Sequence, residues 1–565
     1  MSTAIRDHDA SASRPPTDRS GPAHGAPRHT RGSGTLAGTG TLVRFMLRRD
    51  RIKLPAWVAG LGLFVIYIGA ALPQVAPTEA DLAAASPLLS QPIGRMFAGP
   101  AYGMDPPSYE TFFAGGYTLY LYLLAALMNI LLISRHTRVE EQSGRAELVR
   151  ANVTGRHARL TAALVVAVIT NLAAAVAVTA MALANDFATT GSLLVGVGVA
   201  LTGMTFAGVS AVTAQLSEYS RSASGLAGLV LGVSFALRAL GDMAAEGGST
   251  LSWFSPLGWA SQTAPYVLDR WWPLLLSVGL AAATTALAFG LQDRRDLGAG
   301  LLAARPGRAE AGPALGTVWG LAARLQRGPV LAWGFAIAVL GVVDGLFTQV
   351  MLDSAENMPD ALQQVFGAGE LAAGYLAFLS VFSGYLTAAF IVYAVQGLKA
   401  EEDSGRAEAV LATPTGRTAW GLSHVLAIGL GAVAVMLVTG LLVGVAAAGV
   451  TGTGALVGDG LLAHVNTLPA ALVTLGICTL LVGWAPRLLA PVGWALVGVM
   501  IFVGNFATLL EVPDWVLALS PLHHMAQVPV EPVQWLPLLW LGLIAVVAAA
   551  LGLVGLRRRQ ISARS

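Results

Sequence analysis

The sequence predicts an all-α membrane protein with about twelve transmembrane helices, set out as two parallel six-helix halves. Three observations predict it: an apolar composition, a series of apolar runs of spanning length, and an internal repeat. The 565 residues are 55% hydrophobic and 12% charged, with a mean hydropathy of +0.65. Soluble domains carry about 25% charged residues, and so few charges cannot cover the surface of a soluble chain of this length. The net charge of +2 gives no bulk electrostatic case for a nucleic-acid partner. The single cysteine, Cys478, lies in an apolar run, which excludes a disulfide framework and a cysteine-based metal site.

A helix needs about 20 apolar residues to cross roughly 30 Å of hydrocarbon. Runs that satisfy this fall at 55–75, 116–134, 161–183, 191–214, 224–240 and 272–291, and again at 329–350, 373–395, 419–449, 466–485, 491–510 and 536–555. The run at 419–449 is overlong, so it tilts or projects beyond the bilayer. Residues 1–38 are polar, rich in Pro, Gly, Ser and Arg, and read as a disordered cytoplasmic tail without the apolar region of a signal peptide. The expected division is that tail, a first membrane domain at 39–295, a cytoplasmic linker at 296–318, a second membrane domain at 319–558 and a tail at 559–565. Basic residues fall on one side, at Arg44 to Lys53, Arg135 to Arg159, Arg221, Arg294 to Arg327, Lys399 to Arg417, Arg487 and Arg557 to Arg564, with Arg95 and Arg270 as the exceptions on the other. The opposite loops hold acids such as Glu79, Asp105, Asp353 and Asp514, so both termini are expected in the cytoplasm of a multi-pass cell-membrane protein.

The repeat is most visible in a cytoplasmic loop. Residues 140–156 read EEQSGRAELVRANVTGR and residues 401–417 read EEDSGRAEAVLATPTGR, identical at twelve of seventeen positions with an offset of 261. Ser255-Pro256-Leu257 is echoed by Ser520-Pro521-Leu522, and Pro55-Ala56-Trp57 by Leu331-Ala332-Trp333. Similar offsets in one order imply a duplicated six-span unit, and an even span count gives both copies one orientation. Arg-rich stretches at 41–54 and 317–327 precede each half's first span and read as interfacial helices. Within the motif, Glu141 and Arg145, and Glu402 and Arg406, stand four apart in the favourable acid-first order for a helix. Each loop therefore reads as a short, exposed, charged helix below the membrane. Two explanations of its charges stay open: a docking surface for a cytoplasmic partner, or a solvated connector.

With six spans per half, a charged helix after the second and a Ser-Pro-Leu segment before the last, the chain resembles ABC-2-type exporter permeases. The tandem Glu-Glu-x-Ser-Gly-Arg-Ala-Glu motif is similar to that of the fused, double-length permeases of actinobacteria, described as exporters of polyketide antibiotics or multiple drugs. The resemblance covers roughly 40–558. It implies a type V ABC-exporter-like fold in which the motifs are coupling helices inserted into ATP-binding subunits. The implied contact residues are Glu140, Glu141, Gly144, Arg145 and Glu147, with Glu401, Glu402, Gly405, Arg406 and Glu408. The second copy departs at Ala409, Leu411 and Pro414, which puts equivalence of the two docking sites in question.

The motor is not expected in this chain. A phosphate-binding loop needs G-x-x-x-x-G-K-[ST], and the two lysines, Lys53 and Lys399, stand in other contexts. The chain is thus expected to be no enzyme and to hold no cofactor, with ATP and Mg bound by two copies of a partner ATPase. Its other expected partners are the lipid bilayer and a hydrophobic or amphipathic small molecule. Candidates for a cavity or gate are the polar residues at membrane depth: Arg238, Asp344, Asn129, Asn171 and Asn505. An Arg238–acid pair is one form of gate, whereas interhelical hydrogen bonding is the simpler role for each asparagine. His523-His524 lacks an acidic partner at ligand spacing, so no metal site is expected. The alternatives are a lipid or glycan ABC exporter and an ion-coupled secondary transporter, which needs more ionisable residues at mid-membrane than this sequence offers.

Overall fold

A computed structural model describes residues 34–144, 154–296, 298–302, 310–353, 371–506 and 513–559. Most of the expected N-terminal tail, Arg145 and Glu147 of the first motif, and the side chain of Asn505 lie outside the described residues. The described chain is helical throughout. Eleven helices are long and apolar enough to cross a membrane, and a shorter apolar helix completes the second set of six.

The first half opens with the amphipathic helix α1 (Thr39–Arg49), which buries Met46 and leaves Arg44 and Arg48 exposed. Its spans are α2 (Lys53–Val75), then, after the short outer helix α3 (Pro92–Phe97), α4 (Tyr109–His136). The short turn α5 (Arg138–Gln142) follows, then α6 (Ala158–Leu183), α7 (Thr189–Leu216) and α8 (Ser220–Ala244). The outer helix α9 (Pro256–Ser261) leads to the last span, α10 (Pro273–Gln292). Ser255 of the Ser-Pro-Leu echo is the N-cap of α9, accepting from the Gly258 amide and donating to the Ser234 carbonyl at 2.6 Å.

The second half comprises α11 (Val318–Leu346), α12 (Leu371–Asp403), the cytoplasmic helix α13 (Arg406–Leu411), α14 (Arg417–Thr451), α15 (Leu456–Trp484), α16 (Leu489–Phe506) and α17 (Trp535–Arg558). The 35 residues of α14 span about 52 Å at 1.5 Å per residue, so it projects beyond the hydrocarbon. In contrast to α1, the Arg-rich stretch at 317–327 forms no separate interfacial helix. Thr317 caps α11 through the Gly320 amide, and the helix then runs unbroken into the span.

Burial sorts the spans. In its most apolar window α7 is 78% buried and forms the centre of the first half against α4, α6 and α10, whereas α10 is only 17% buried and faces lipid. With no hydrophobic drive between helices in lipid, close backbone approach and polar contacts supply the packing. A Cβ built on Gly552 of α17 stands 2.4 Å from the Thr479 carbonyl oxygen of α15, so that pair closes only because the glycine has no side chain. In the first half, Asn129 of α4 and Asn171 of α6 exchange side-chain hydrogen bonds at 3.0 and 2.8 Å, and each also donates to the carbonyl one turn earlier. Both are fully buried, so they join helices and do not line a cavity. Gly203 of α7 sits over the pair. The positions 261 residues on are Phe390 and Ala432, both inside the apolar core of the second half. One half joins its helices with a polar pair where the other uses shape.

The halves meet at few places. On the outer side the ring of Phe97, in α3, makes a T-shaped contact with Phe347 at 6.3 Å, and Leu88 packs against a cluster containing Met351, Tyr375 and Leu376. Gly203→Ala is expected to lower the thermal midpoint of the purified protein, because the new Cβ falls 2.1 Å from Asn171 Oδ1. Gly228→Ala in α8, which meets open space, serves as the matched control and should leave the midpoint unchanged. Equal midpoints for the two variants would show that the asparagine pair does not set the packing there.

Candidate functional site

The two motifs make one arrangement twice. In the second half, Glu402 ends the apolar helix α12, and its side chain is only 3% exposed. Both carboxylate oxygens accept from the guanidinium of Arg559, the residue directly after α17. In the first half, Glu141 has a side chain 6% exposed. It accepts two hydrogen bonds, at 2.7 and 3.0 Å, from Arg295, just beyond α10. Each motif's second glutamate thus holds an arginine at the C-terminal end of its own half's last span. Charge-assisted, two-point pairing of this kind fixes orientation as well as distance.

The other end of the motif repeats the theme. Arg156 donates to the Asp293 carbonyl at 2.6 Å, and Arg417 donates to the Arg559 carbonyl at 2.7 Å. The last carbonyls of a helix have no partner within it, and in both halves a motif arginine supplies one. Gln292 returns a bond to the Arg156 carbonyl at 2.8 Å. His157 contacts Asp293 Oδ1 at 2.8 Å, which holds the Asp293 carboxyl below the ordinary carboxylate range and keeps it anionic at neutral pH. The loop between the second and third spans is therefore clamped at both ends to the sixth.

Sequence reasoning placed Glu141 and Glu402 on an exposed helix, and the structure corrects this: both are buried. It also replaces the expected Glu402–Arg406 pair. Gly405 adopts a left-handed conformation (φ 76°), as does Gly144 (φ 71°), and this turn ends the helix before Arg406. Arg406 swings back instead to Glu401, with bonds of 2.7 and 2.8 Å. Nor is the second motif one separate helix, since Glu401 and Glu402 belong to α12 and α13 begins at Arg406. Glu140 pairs with Arg49, tying α1 to the first motif. Arg138, fully buried, joins Glu141 at 2.9 Å and the linker carbonyl of Ala299 at 2.8 Å. Gln142, Ser143, Arg406 and Glu408 remain exposed. The clamp arginines Arg295 and Arg559 were missed as site residues; their place directly after each half's last span was the available signal.

A cavity of about 330 Å³ adjoins the first clamp, lined by Glu141, Arg156, Arg159, Gln215, Arg295 and neighbours. Arg238 is fully buried and forms no gate between the halves. It pairs with Asp242 of its own helix at 3.3 Å and donates to the Met96 carbonyl. Arg95 adds bonds to the carbonyls of Asp242 and Met243 at 2.8 and 3.0 Å. Together these arginines hold α3 against the outer end of α8, which places Phe97 for its contact with Phe347. Asp344 is half-buried on α11 at the junction of the halves. No group of three or more His, Cys, Asp or Glu with metal-site geometry occurs among the described residues.

Two sets of six apolar helices, each with its second-to-third loop clamped to its last span, make the frame of a multi-pass membrane protein. The chain belongs to the multidrug efflux permease family: the family model for the C-terminal domain of the multidrug efflux system permease Rv1217c matches residues 40–291 and 315–557. The two matched stretches correspond to the two halves. It is also 38% identical to the multidrug efflux system permease protein Rv1217c of Mycobacterium tuberculosis (strain ATCC 25618 / H37Rv) over 554 residues, which covers 96% of this chain and 98% of that protein.

Glu402→Ala and Arg559→Ala should each destabilise the second half by about 1–3 kcal/mol, the usual cost of leaving a buried polar group without its partner. The readout is a lowered thermal midpoint in detergent. The exchange Glu402→Arg with Arg559→Glu should recover part of the loss, since the pair couples directly. Unchanged midpoints in both single variants would show that the clamp does not stabilise the fold.

Proposed function

We propose that this chain is the membrane permease of an ATP-driven efflux pump for hydrophobic or amphipathic compounds. Two copies of a separate ABC-type ATP-binding subunit dock on its two motifs and supply the ATP and Mg chemistry. The observation that carries this reading is the doubled clamp. At each motif one set of residues grips the sixth span, while Gln142 and Ser143 in one copy and Arg406 and Glu408 in the other face outward. A partner that moves the outward residues moves the sixth span through Glu141 and Arg156, or through Glu402 and Arg417. Nucleotide-driven approach of two such partners then separates the halves where they touch least. A solvated connector needs neither the buried pair nor its repetition. The resemblance to double-length exporter permeases points the same way.

The partnership has a direct test. Co-expressed with an ATPase encoded beside it, the chain should copurify as one permease to two ATPases, and drug should stimulate hydrolysis. Arg406→Glu reverses a guanidinium that is 60% exposed; it breaks the surface pair with Glu401, so it should lower the thermal midpoint only slightly and less than Glu402→Ala does. It should weaken docking by about 2–5 kcal/mol, the range for losing one partner of a desolvated charge pair at an interface. Normal copurification and normal drug-stimulated hydrolysis in Arg406→Glu would overturn the docking assignment.

The orientation that this reading needs is checked by cysteine labelling, with buried Cys478 giving little background. Glu79→Cys and Thr453→Cys, both exposed positions, should react with a membrane-impermeant maleimide on intact cells. Gln142→Cys and Arg406→Cys should react only after permeabilisation. External labelling of either motif would exclude a cytoplasmic partner there.

A further inference from the structure

We propose that Asp344 and the aromatic rings around it form a recognition subsite for lipophilic organic cations, placed between the two halves just beneath their outer contact. The inference deepens the efflux reading by naming the substrate charge class, and it rests on that reading only for the direction of transport.

The placement of Asp344 follows from how α11 packs. Gly341 and Gly345 turn one face of the helix onto α14, where a Cβ would stand 2.8 Å from the Thr439 methyl and 2.6 Å from the Val443 carbonyl oxygen respectively. Asp344 and Phe347, three residues apart, share a different face. On that face Phe347 meets Phe97 of the first half. The Asp344 carboxylate lies within electrostatic reach of the hydroxyl of Tyr120, on α4 of the first half, and of Tyr375 on α12. The Tyr375 hydroxyl donates to the backbone carbonyl of Asp344 at 3.1 Å. Tyr120 is 41% exposed, so its ring is not closed off by its own half. Asp344 stands three residues, or about 4.5 Å of helix rise, to the cytoplasmic side of Phe347. A molecule held there lies directly under the aromatic contact that joins the halves.

The chemistry follows from what the carboxylate lacks. Asp242, the buried acid on α8, has Arg238 at 3.3 Å and the Ser252 hydroxyl at 2.6 Å. Arg238 is committed to that pair. Among the described residues, no side chain hydrogen-bonds or ion-pairs with the Asp344 carboxylate. An acid at membrane depth with no internal counter-charge is costly to ionise, and a cation that enters its site offsets that cost. Phe97, Tyr120, Phe347 and Tyr375 around it supply apolar surface and ring faces that attract a cation. An acid combined with aromatic faces binds an organic cation through its charge and its apolar body together, and repels an anion of the same shape.

The test uses two probes of matched shape and opposite charge, tetraphenylphosphonium and tetraphenylborate. Their binding to the purified full-length chain in nanodiscs is measured without nucleotide, so the result does not depend on any ATPase. The wild-type chain should bind tetraphenylphosphonium at least tenfold more tightly than Asp344→Asn does, and Asp344→Glu should retain most of the affinity. Tetraphenylborate should bind wild type weakly and Asp344→Asn no less well. Unchanged thermal midpoints confirm that both variants fold. Equal tetraphenylphosphonium affinity for wild type and Asp344→Asn would overturn the proposal, as would preferential binding of tetraphenylborate to wild type. Asp344-dependent cation binding in a chain that recruits no ATPase would instead sink the ATP-driven reading and leave the subsite standing.

Discussion

In each half, a motif glutamate faces an arginine placed immediately after the last membrane helix of that half: Glu141 with Arg295, and Glu402 with Arg559. The rest of the cytoplasmic side depends on this pairing. A loop between the second and third spans has no reason of its own to sit under the sixth. The buried pair brings it there, and Arg156 or Arg417 then completes the end of the sixth helix by accepting the role of donor to its last carbonyls. Removing either partner leaves a buried charge without compensation, which is more costly than never having built the pair. Such a constraint resists drift. It accounts for the identity of the second glutamate and of the last arginine in both copies of the motif.

The two clamps are nevertheless dressed differently. In the first half Arg138 joins the pair and reaches the linker, and Glu140 draws in α1. In the second half the position matching Arg138 is Lys399, which pairs locally with Asp403, and Glu401 holds Arg406. The first clamp therefore gathers α1 and the segment after α10 into one unit. The second leaves α13 standing apart with a more exposed charged surface. An equal clamp thus stands in unequal surroundings in the two halves.

The outer side is organised by a second buried pair, Arg238 with Asp242, which acts inside one half only. By fixing α3 on α8 it presents Phe97 to Phe347, so a charge interaction within the first half determines an aromatic contact between halves.

The sequence by itself determined the spans, their number and the duplication, because apolar length and self-similarity are properties of the chain alone. The expected run at 161–183 lies inside Ala158–Leu183 and the run at 191–214 inside Thr189–Leu216. It also marked the motif, the role of Asn129 and Asn171 as helix-joining residues, and Asp344 as a polar residue out of place. What it did not contain was the partner of each charge. Spacing of four suggested Glu402 with Arg406, yet one left-handed glycine turned Arg406 to Glu401, and Glu402 found Arg559, 157 residues away. Likewise Arg238 and Asp344 look alike as isolated charges in apolar runs, and only packing made one a buried brace and left the other without a counter-charge. Periodicity is local and legible in one dimension, whereas electrostatic pairing depends on which helix ends converge in space, and that is decided by the tertiary structure.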